Sequence, residues 1–169
     1  IIAMIDYYKP LYSDSSLNMK SSVIRDMFRF TSDPEMISFA GGMPGPEAFP
    51  VNELKEIIDR AIAQYGSSVF QYGTTEGYSP LRESISQLME NVYGLPSHPE
   101  NILVTSGSQQ ALYLLCKVLV NPGDVVITEN PTYVGALGTL RSFMADIHTI
   151  DMDDQGIDIS MLEYKVAEL

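Results

Sequence analysis

Cysteine is almost missing from this chain of 169 residues. Cys116 stands alone, so no internal disulfide can form, and no CxxC or Cys/His cluster offers a zinc site. The two histidines, His98 and His148, lie far apart with no serine or cysteine at a recognisable spacing, which leaves a hydrolase triad without support. Basic charge is scarce as well. Ten Lys and Arg stand against 22 Asp and Glu, and the net charge of -12 opposes nucleic acid or anionic lipid as partners. No apolar run approaches the roughly 18 residues of a membrane span. The opening Ile1–Ile5 runs straight into Asp6 and is too short for the apolar core of a signal peptide. These absences fit a cytoplasmic, reducing location. The nucleotide fingerprints GxxxxGK[ST] and GxGxxG are missing too. Asp151-Met-Asp-Asp-Gln-Gly156 brushes a calcium-loop pattern but has Leu162, not a bidentate Glu, at the twelfth position. It reads as a turn, and no metal site is expected.

What is present is an ordinary globular composition, 45% hydrophobic and 19% charged, long enough for one domain with a core. Cys116 falls in the apolar run Leu112–Val120 and reads as a small core hydrophobe. The most informative stretch is Asn101–Tyr133. It reads as a buried strand (Ile102–Thr105), a polar turn (Ser106-Gly107-Ser108), a helix opening at Gln109, a Pro-Gly turn, and a second strand (Val125–Thr128) delivering Asn130-Pro131-Thr132-Tyr133. This is α/β patterning with a parallel sheet. A glycine-bearing turn between strand and helix aims backbone N–H groups and the positive end of the helix dipole at one spot, which suits a phosphate. Ser108 and Gln109 are the candidate phosphate ligands. Tyr133, at the carboxyl end of the sheet, is a candidate to stack on a planar ring.

Elsewhere, apolar spacing predicts a helix or broken helix from Ser15 to about Phe30, with Arg25 on it as a candidate for a substrate carboxylate. Ile37–Ala40 reads as a short strand entering Gly41-Gly-Met-Pro-Gly-Pro46, where backbone can approach a ligand closely. Leu54, Ile57, Ile58, Ala61 and Ile62 mark an amphipathic helix ending near Gly66. The loop 67–78 carries Tyr72, a candidate phosphate donor. Ser79 as N-cap and Pro80 open a helix that stops at Gly94. A helix over Val134–Phe143, a strand near Ile147–Ile150 and a capping box at Ser160–Glu163 complete the pattern. The last helix has barely reached its third turn at Leu169, and a parallel sheet of two or three strands has nothing over its far edge. The expectation is the N-terminal part of a larger protein.

Several motifs occur in order: Ile37-Ser-Phe-Ala-Gly-Gly-Met-Pro with Phe49-Pro50, Gln71-Tyr-Gly73 with Gly77 and Leu81-Arg82, Thr105-Ser-Gly-Ser-Gln-Gln-Ala, Asn121-Pro-Gly-Asp124, and Glu129-Asn-Pro-Thr-Tyr133. Together they resemble the pyridoxal-phosphate-dependent aminotransferases of fold type I, class I/II, in the branch of the 2-aminoadipate and kynurenine aminotransferases and of the catalytic domains of MocR-type regulators. The resemblance runs from about Val23 to the end.

The resemblance implies an incomplete fold type I enzyme, with residues 1–50 as N-terminal segment and substrate-side glycine loop, and 51–169 as the first part of the large cofactor domain. It implies pyridoxal 5'-phosphate held by Ser108 and Gln109, with Tyr133 on the pyridine ring. Tyr72 would reach the phosphate of a neighbouring subunit's cofactor in a homodimer with shared active sites. Gly42 would lie against the substrate and Arg25 would help close over it. Substrates would be an amino acid and a 2-oxo acid. The family also needs a lysine that binds the cofactor covalently, an acid at the pyridine nitrogen and a late arginine for the substrate carboxylate. Family order places all of these after Leu169, so no catalytic residue is nominated and the chain alone is expected to be inactive. The alternative is an effector-sensing domain of a MocR-type transcription regulator, which would require a basic winged helix-turn-helix upstream.

Overall fold

The computed structural model describes residues 7–19, 42 and 44–169. Of the helix or broken helix expected from Ser15 to about Phe30, the described part is helical to Asn18 and extended at Met19; the rest of it, Arg25 and the strand expected at Ile37–Ala40 lie outside the described residues. The chain divides into two compact units, one of Gly42–Thr105 and the other of Ser106–Leu169 with Ile1–Gly41.

In the unit that includes the N-terminus, helix α1 (Asp14–Asn18) is opened by Ser13, whose side chain accepts from the Ser16 N–H. Ser15 Oγ donates to the Ser142 carbonyl at 2.5 Å and Asn18 Nδ2 to the Arg141 carbonyl at 2.9 Å.

The unit Gly42–Thr105 is built from two helices and the turns around them. Helix α2 (Val51–Tyr65) follows the expected 3.6-residue apolar spacing and ends at Gly66 with φ 59. Its Leu54, Ile57, Ile58 and Ile62 are exposed all the same. Helix α3 (Ser79–Tyr93) stops at Gly94 in the left-handed conformation, as expected. Its N-cap, however, is Tyr78 without a side-chain bond, and Ser79 is the first helical residue. Pro80 is therefore the second helical residue, still within the first turn where its missing N–H costs no helical bond.

Polar clamps tie α3 to the segment Ser97–Pro99. Arg82 donates Nε and Nη2 to the Pro99 carbonyl at 3.0 and 2.6 Å, and Ser86 Oγ donates to the Ser97 carbonyl. Ile102–Thr105 is extended but is not a strand of the sheet, a correction to the sequence reading. Its Val104 N–H bonds instead to the Glu76 carbonyl at 2.9 Å. Apolar β-branched residues specify an extended backbone. A strand also needs a ladder partner, which local sequence does not name.

From Ser106 onward the chain alternates helix and strand. Helix α4 (Ser108–Leu119) begins one residue before Gln109. In the turn after α4, the Asp124 N–H donates to the Asn121 carbonyl at 3.0 Å and Asp124 Oδ2 reaches back to accept from the Asn121 N–H at 2.7 Å and from Asn121 Nδ2 at 3.1 Å, closing the Asn-Pro-Gly-Asp turn from both sides. Strand β1 (Val125–Asn130), helix α5 (Val134–Ser142) and strand β2 (Asp146–Asp153) form a strand–helix–strand unit. The strands are parallel and in register from Val125 opposite Asp146 to Asn130 opposite Asp151. Strand β3 (Gly156–Ile157) adds to β2 antiparallel, so the three-stranded sheet, in order β1-β2-β3, is mixed, not wholly parallel. Asp153 Oδ1 accepts from the Gln155 N–H at 2.7 Å across the two-residue hairpin turn Asp154-Gln155, while Asp151–Asp153, expected as part of the turn, belong to β2 and Gly156 to β3.

Helix α6 (Ile159–Glu168) is capped by Asp158, whose side chain accepts from the Met161 N–H, not by a Ser160–Glu163 box. Asp158 directly follows β3 and is as strong a cap as serine, so the first of the two residues along the chain takes the position. The buried residues among those described are Cys116, Leu140 and Ile150, one each from α4, α5 and β2. The Tyr113 and Phe143 rings meet beside them with centroids 5.2 Å apart. Among the described residues no helix is long and apolar enough to cross a membrane.

Candidate cofactor site

The site grows from two adjoining helix starts. Gly107 turns the chain into α4 with φ 78 and ψ 173, a backbone that a side chain resists. No side chain caps α4 at Gly107. Ser106 N–H is taken by the Gln110 side-chain carbonyl at 2.5 Å, and the Ser108 and Gln109 side chains stand exposed on the first turn. The other helix start comes after β1. Asn130 Nδ2 donates to Asp151 Oδ1 at 2.7 Å, tying the ends of the parallel strands, and the Asn130-Pro131 peptide is cis. Tyr133 is then the N-cap residue of α5, with 54% of its surface exposed.

These starts meet through side chains. Gln109 Nε2 donates to the Tyr133 hydroxyl at 3.1 Å. Thr139 Oγ1 donates to Gln109 Oε1 at 3.3 Å and lies equally far from the Gly135 carbonyl, within its own helix. Gly135 makes room for the arrangement. A Cβ there would come within 2.6 Å of two Tyr133 ring carbons and would overlap Gln109 Nε2. Sequence reasoning missed Thr139 and Gly135. The sequence offered only a partial signal: α5 carries two glycines, Gly135 and Gly138, of which only Gly135 has neighbours that a Cβ would meet, and Thr139 lies four residues after it along the same face.

The candidates read from sequence are thus divided. Ser108, Gln109 and Tyr133 share one unit, and the last two touch. Tyr72 belongs to the other unit, its side chain standing in solvent with 99% exposure. Gly42, also there, is exposed with φ 61, the left-handed backbone that glycine tolerates. Cys116 is 6% exposed, and burial pushes its thiol above the usual range, which makes it inert packing as expected.

Residues 36–169 match the family described as aminotransferase class I and II, well over half of the chain. The chain belongs to the class I and II aminotransferases. Kynurenine aminotransferase from Pyrococcus horikoshii, crystallised with PMP, is 36% identical, with a TM-score of 0.87 over 98% of this chain and 41% of that one. The α-aminoadipate aminotransferase LysN from Thermus thermophilus, complexed with N-(5'-phosphopyridoxyl)-L-leucine, is 32% identical, with a TM-score of 0.82 over 95% of this chain and 38% of its own. Aromatic-amino-acid aminotransferase 1 of Thermococcus litoralis is 39% identical over 96% of this chain and 39% of that protein. Regulators of the HTH and MocR types are also relatives, at 28–29% identity. The chain therefore spans about two fifths of the length of these aminotransferases, and its fold is the fold type I architecture over that part.

Pyridoxal phosphate is the cofactor that the family and the ligand-bound relatives indicate. The residues of this aminotransferase-family chain fit it. A helix start without a side-chain cap offers N–H groups and a serine hydroxyl to a phosphate, and an exposed aromatic ring is fastened to that same helix by Gln109. Among the described residues, no group of three or more His, Cys, Asp and Glu is arranged for a metal.

Proposed function

We propose that this chain supplies the phosphate end and ring face of the cofactor site in an aminotransferase moving an amino group between an amino acid and a 2-oxo acid. The observation that carries the reading is the 3.1 Å contact joining Tyr133 to the start of α4. Ser108 Oγ and the first-turn N–H groups of α4 hold the phosphate, where the helix dipole favours negative charge. The Tyr133 ring covers one face of the pyridine. Bound pyridoxal phosphate supplies the electron sink that substrate α-carbon chemistry requires. The residues of this chain bind and orient it. None of Lys9, Lys20, Lys55, Lys117 and Lys165 lies in the sequence context of the family's cofactor lysine, so none is offered as the covalent anchor. The 169-residue chain alone is accordingly expected to show no turnover.

In the same reading, residues 1–50 form the N-terminal, substrate-side segment and 51–169 open the large cofactor domain. Gly42 and Arg25 lie on the substrate side. The protein is a homodimer in which Tyr72 reaches the partner's cofactor phosphate, and the full solvent exposure of Tyr72 supports such a role. A lone buried thiol supports a cytoplasmic setting. The regulator reading rests on relatives of lower identity, and its mark would be a DNA-binding domain preceding this region.

The test is to load the full-length protein with pyridoxal phosphate, reduce it with borohydride and weigh it. One cofactor per chain, with turnover of an amino acid against a 2-oxo acid, is expected. Stoichiometric cofactor without turnover, together with specific DNA binding, would replace the enzyme by the regulator.

A further inference from the structure

The side-chain amide of Gln109 is committed within the protein. It bridges two hydroxyls, with Nε2 on Tyr133 and Oε1 on Thr139, at the point where a Cβ on Gly135 would close the space. An exposed tyrosine ring has rotamer freedom, and a planar ligand that stacks on it must freeze that freedom on binding. A ring already fixed through its hydroxyl avoids that cost. We propose that Gln109, aligned by Thr139 and cleared by Gly135, is a positioning residue for the Tyr133 ring. The phosphate is left to Ser108 Oγ and the backbone of the first turn. This inference rests on the cofactor site proposed above, and it assigns Gln109 a task other than holding phosphate through its amide.

Gly135 supplies a discriminating variant. Its φ is not among the positive ones, and alanine is the better helix former, so Gly135→Ala favours α5 while pushing Tyr133 and Gln109 apart. The other variants are Gln109→Leu, Thr139→Val, Tyr133→Phe and the double variant Gln109→Leu/Tyr133→Phe, all in the full-length protein. Three quantities are read: affinity for pyridoxal phosphate with its induced circular dichroism, affinity of the apoprotein for inorganic phosphate, and NMR line shapes of ring-labelled Tyr133 in the apoprotein.

Loss of one such hydrogen bond weakens cofactor binding about three- to tenfold. That loss is expected for Gln109→Leu, Thr139→Val and Gly135→Ala, with diminished induced dichroism, a mobile Tyr133 ring and unchanged affinity for inorganic phosphate. The double variant should be no weaker than the weaker single one, because Gln109 acts through the hydroxyl that Tyr133→Phe removes. Parallel loss of inorganic phosphate and cofactor in Gln109→Leu would make the amide a phosphate ligand and overturn the inference. So would a Tyr133 ring equally ordered in wild type and variants. A wild-type protein whose ring is fixed by Gln109 but which binds no pyridoxal phosphate would overturn the cofactor reading and leave the positioning role standing.

Discussion

The two compact units hold themselves together by different means. Every buried residue among those described belongs to the unit containing Ser106–Leu169, where a parallel strand pair and the helices flanking it enclose Cys116, Leu140 and Ile150. The unit Gly42–Thr105 has two well-formed helices and, among the described residues, none that is buried. Carbonyl clamps from Arg82 and Ser86 organise it, with a glycine turn at Gly77 whose φ is 105 and whose Cβ position is filled by Val104 at 2.7 Å. Helical periodicity is thus a statement about what a surface can bury, while burial requires a second surface. The candidate site divides along the same line, with the assembled pair Gln109 and Tyr133 in the cored unit and the solvent-facing Tyr72 in the other.

Substitutions break the comparison in order of size. Leu140→Ala or Ile150→Ala should cost about 2–5 kcal/mol in urea unfolding of this chain, because each leaves a cavity in the only described core. A loss under about 1 kcal/mol would show that the core does not hold this unit. Arg82→Ala should cost roughly 1.5–3 kcal/mol by removing the charged donors on the Pro99 carbonyl, and local hydrogen exchange around Pro99–Asn101 should rise with it. Gly77→Ala should cost about 1–3 kcal/mol from the positive φ and the Val104 overlap together. Ile57→Ser sharpens the contrast from the other side. On the exposed face of α2 it should shift the stability of this chain by less than about 0.5 kcal/mol, and a larger shift would show a covered face.

Cys116 gives the pH arm. Burial raises its thiol, so the fold prefers the neutral form. That contribution is fully present below the unfolded thiol's value and is lost as pH rises from there through the raised folded value. Cys116→Ala should flatten this alkaline decline, and native protein should resist iodoacetamide at neutral pH.

Much of this was legible in the residues. The turn before α4, the second strand, the glycine stops at Gly66 and Gly94 and the inert thiol all stem from local signals whose causes lie within a few positions. The errors share a cause. Ile102–Thr105 has strand chemistry but bonds to Glu76, a partner 28 residues before Val104 that no periodicity announces. Asp158 displaced Ser160 because two good caps stood two residues apart, and β3 decided between them. The meeting of Gln109 with Tyr133, 24 residues later, is likewise tertiary, and sequence does not tell the glycine that permits it, Gly135, from Gly138 in the same helix, around which a Cβ would meet nothing.

Helix α5 is held at both ends. Its first residues stand among Tyr133, Gly135 and Gln109, and its last carbonyls, on Arg141 and Ser142, accept from Asn18 and Ser15 of α1. It is therefore a strut between the site and the amino-terminal tail, about 13 Å long at 1.5 Å per residue. A rotation of that strut when the ring is occupied would reach Ser15 and Asn18 without passing through the sheet. In the cofactor reading proposed above, the tail is a gauge needle for the site, and a spectroscopic label at the exposed Leu17, which leaves the Ser15 and Asn18 bonds intact, would read occupancy of the Tyr133 ring from the far end of one helix.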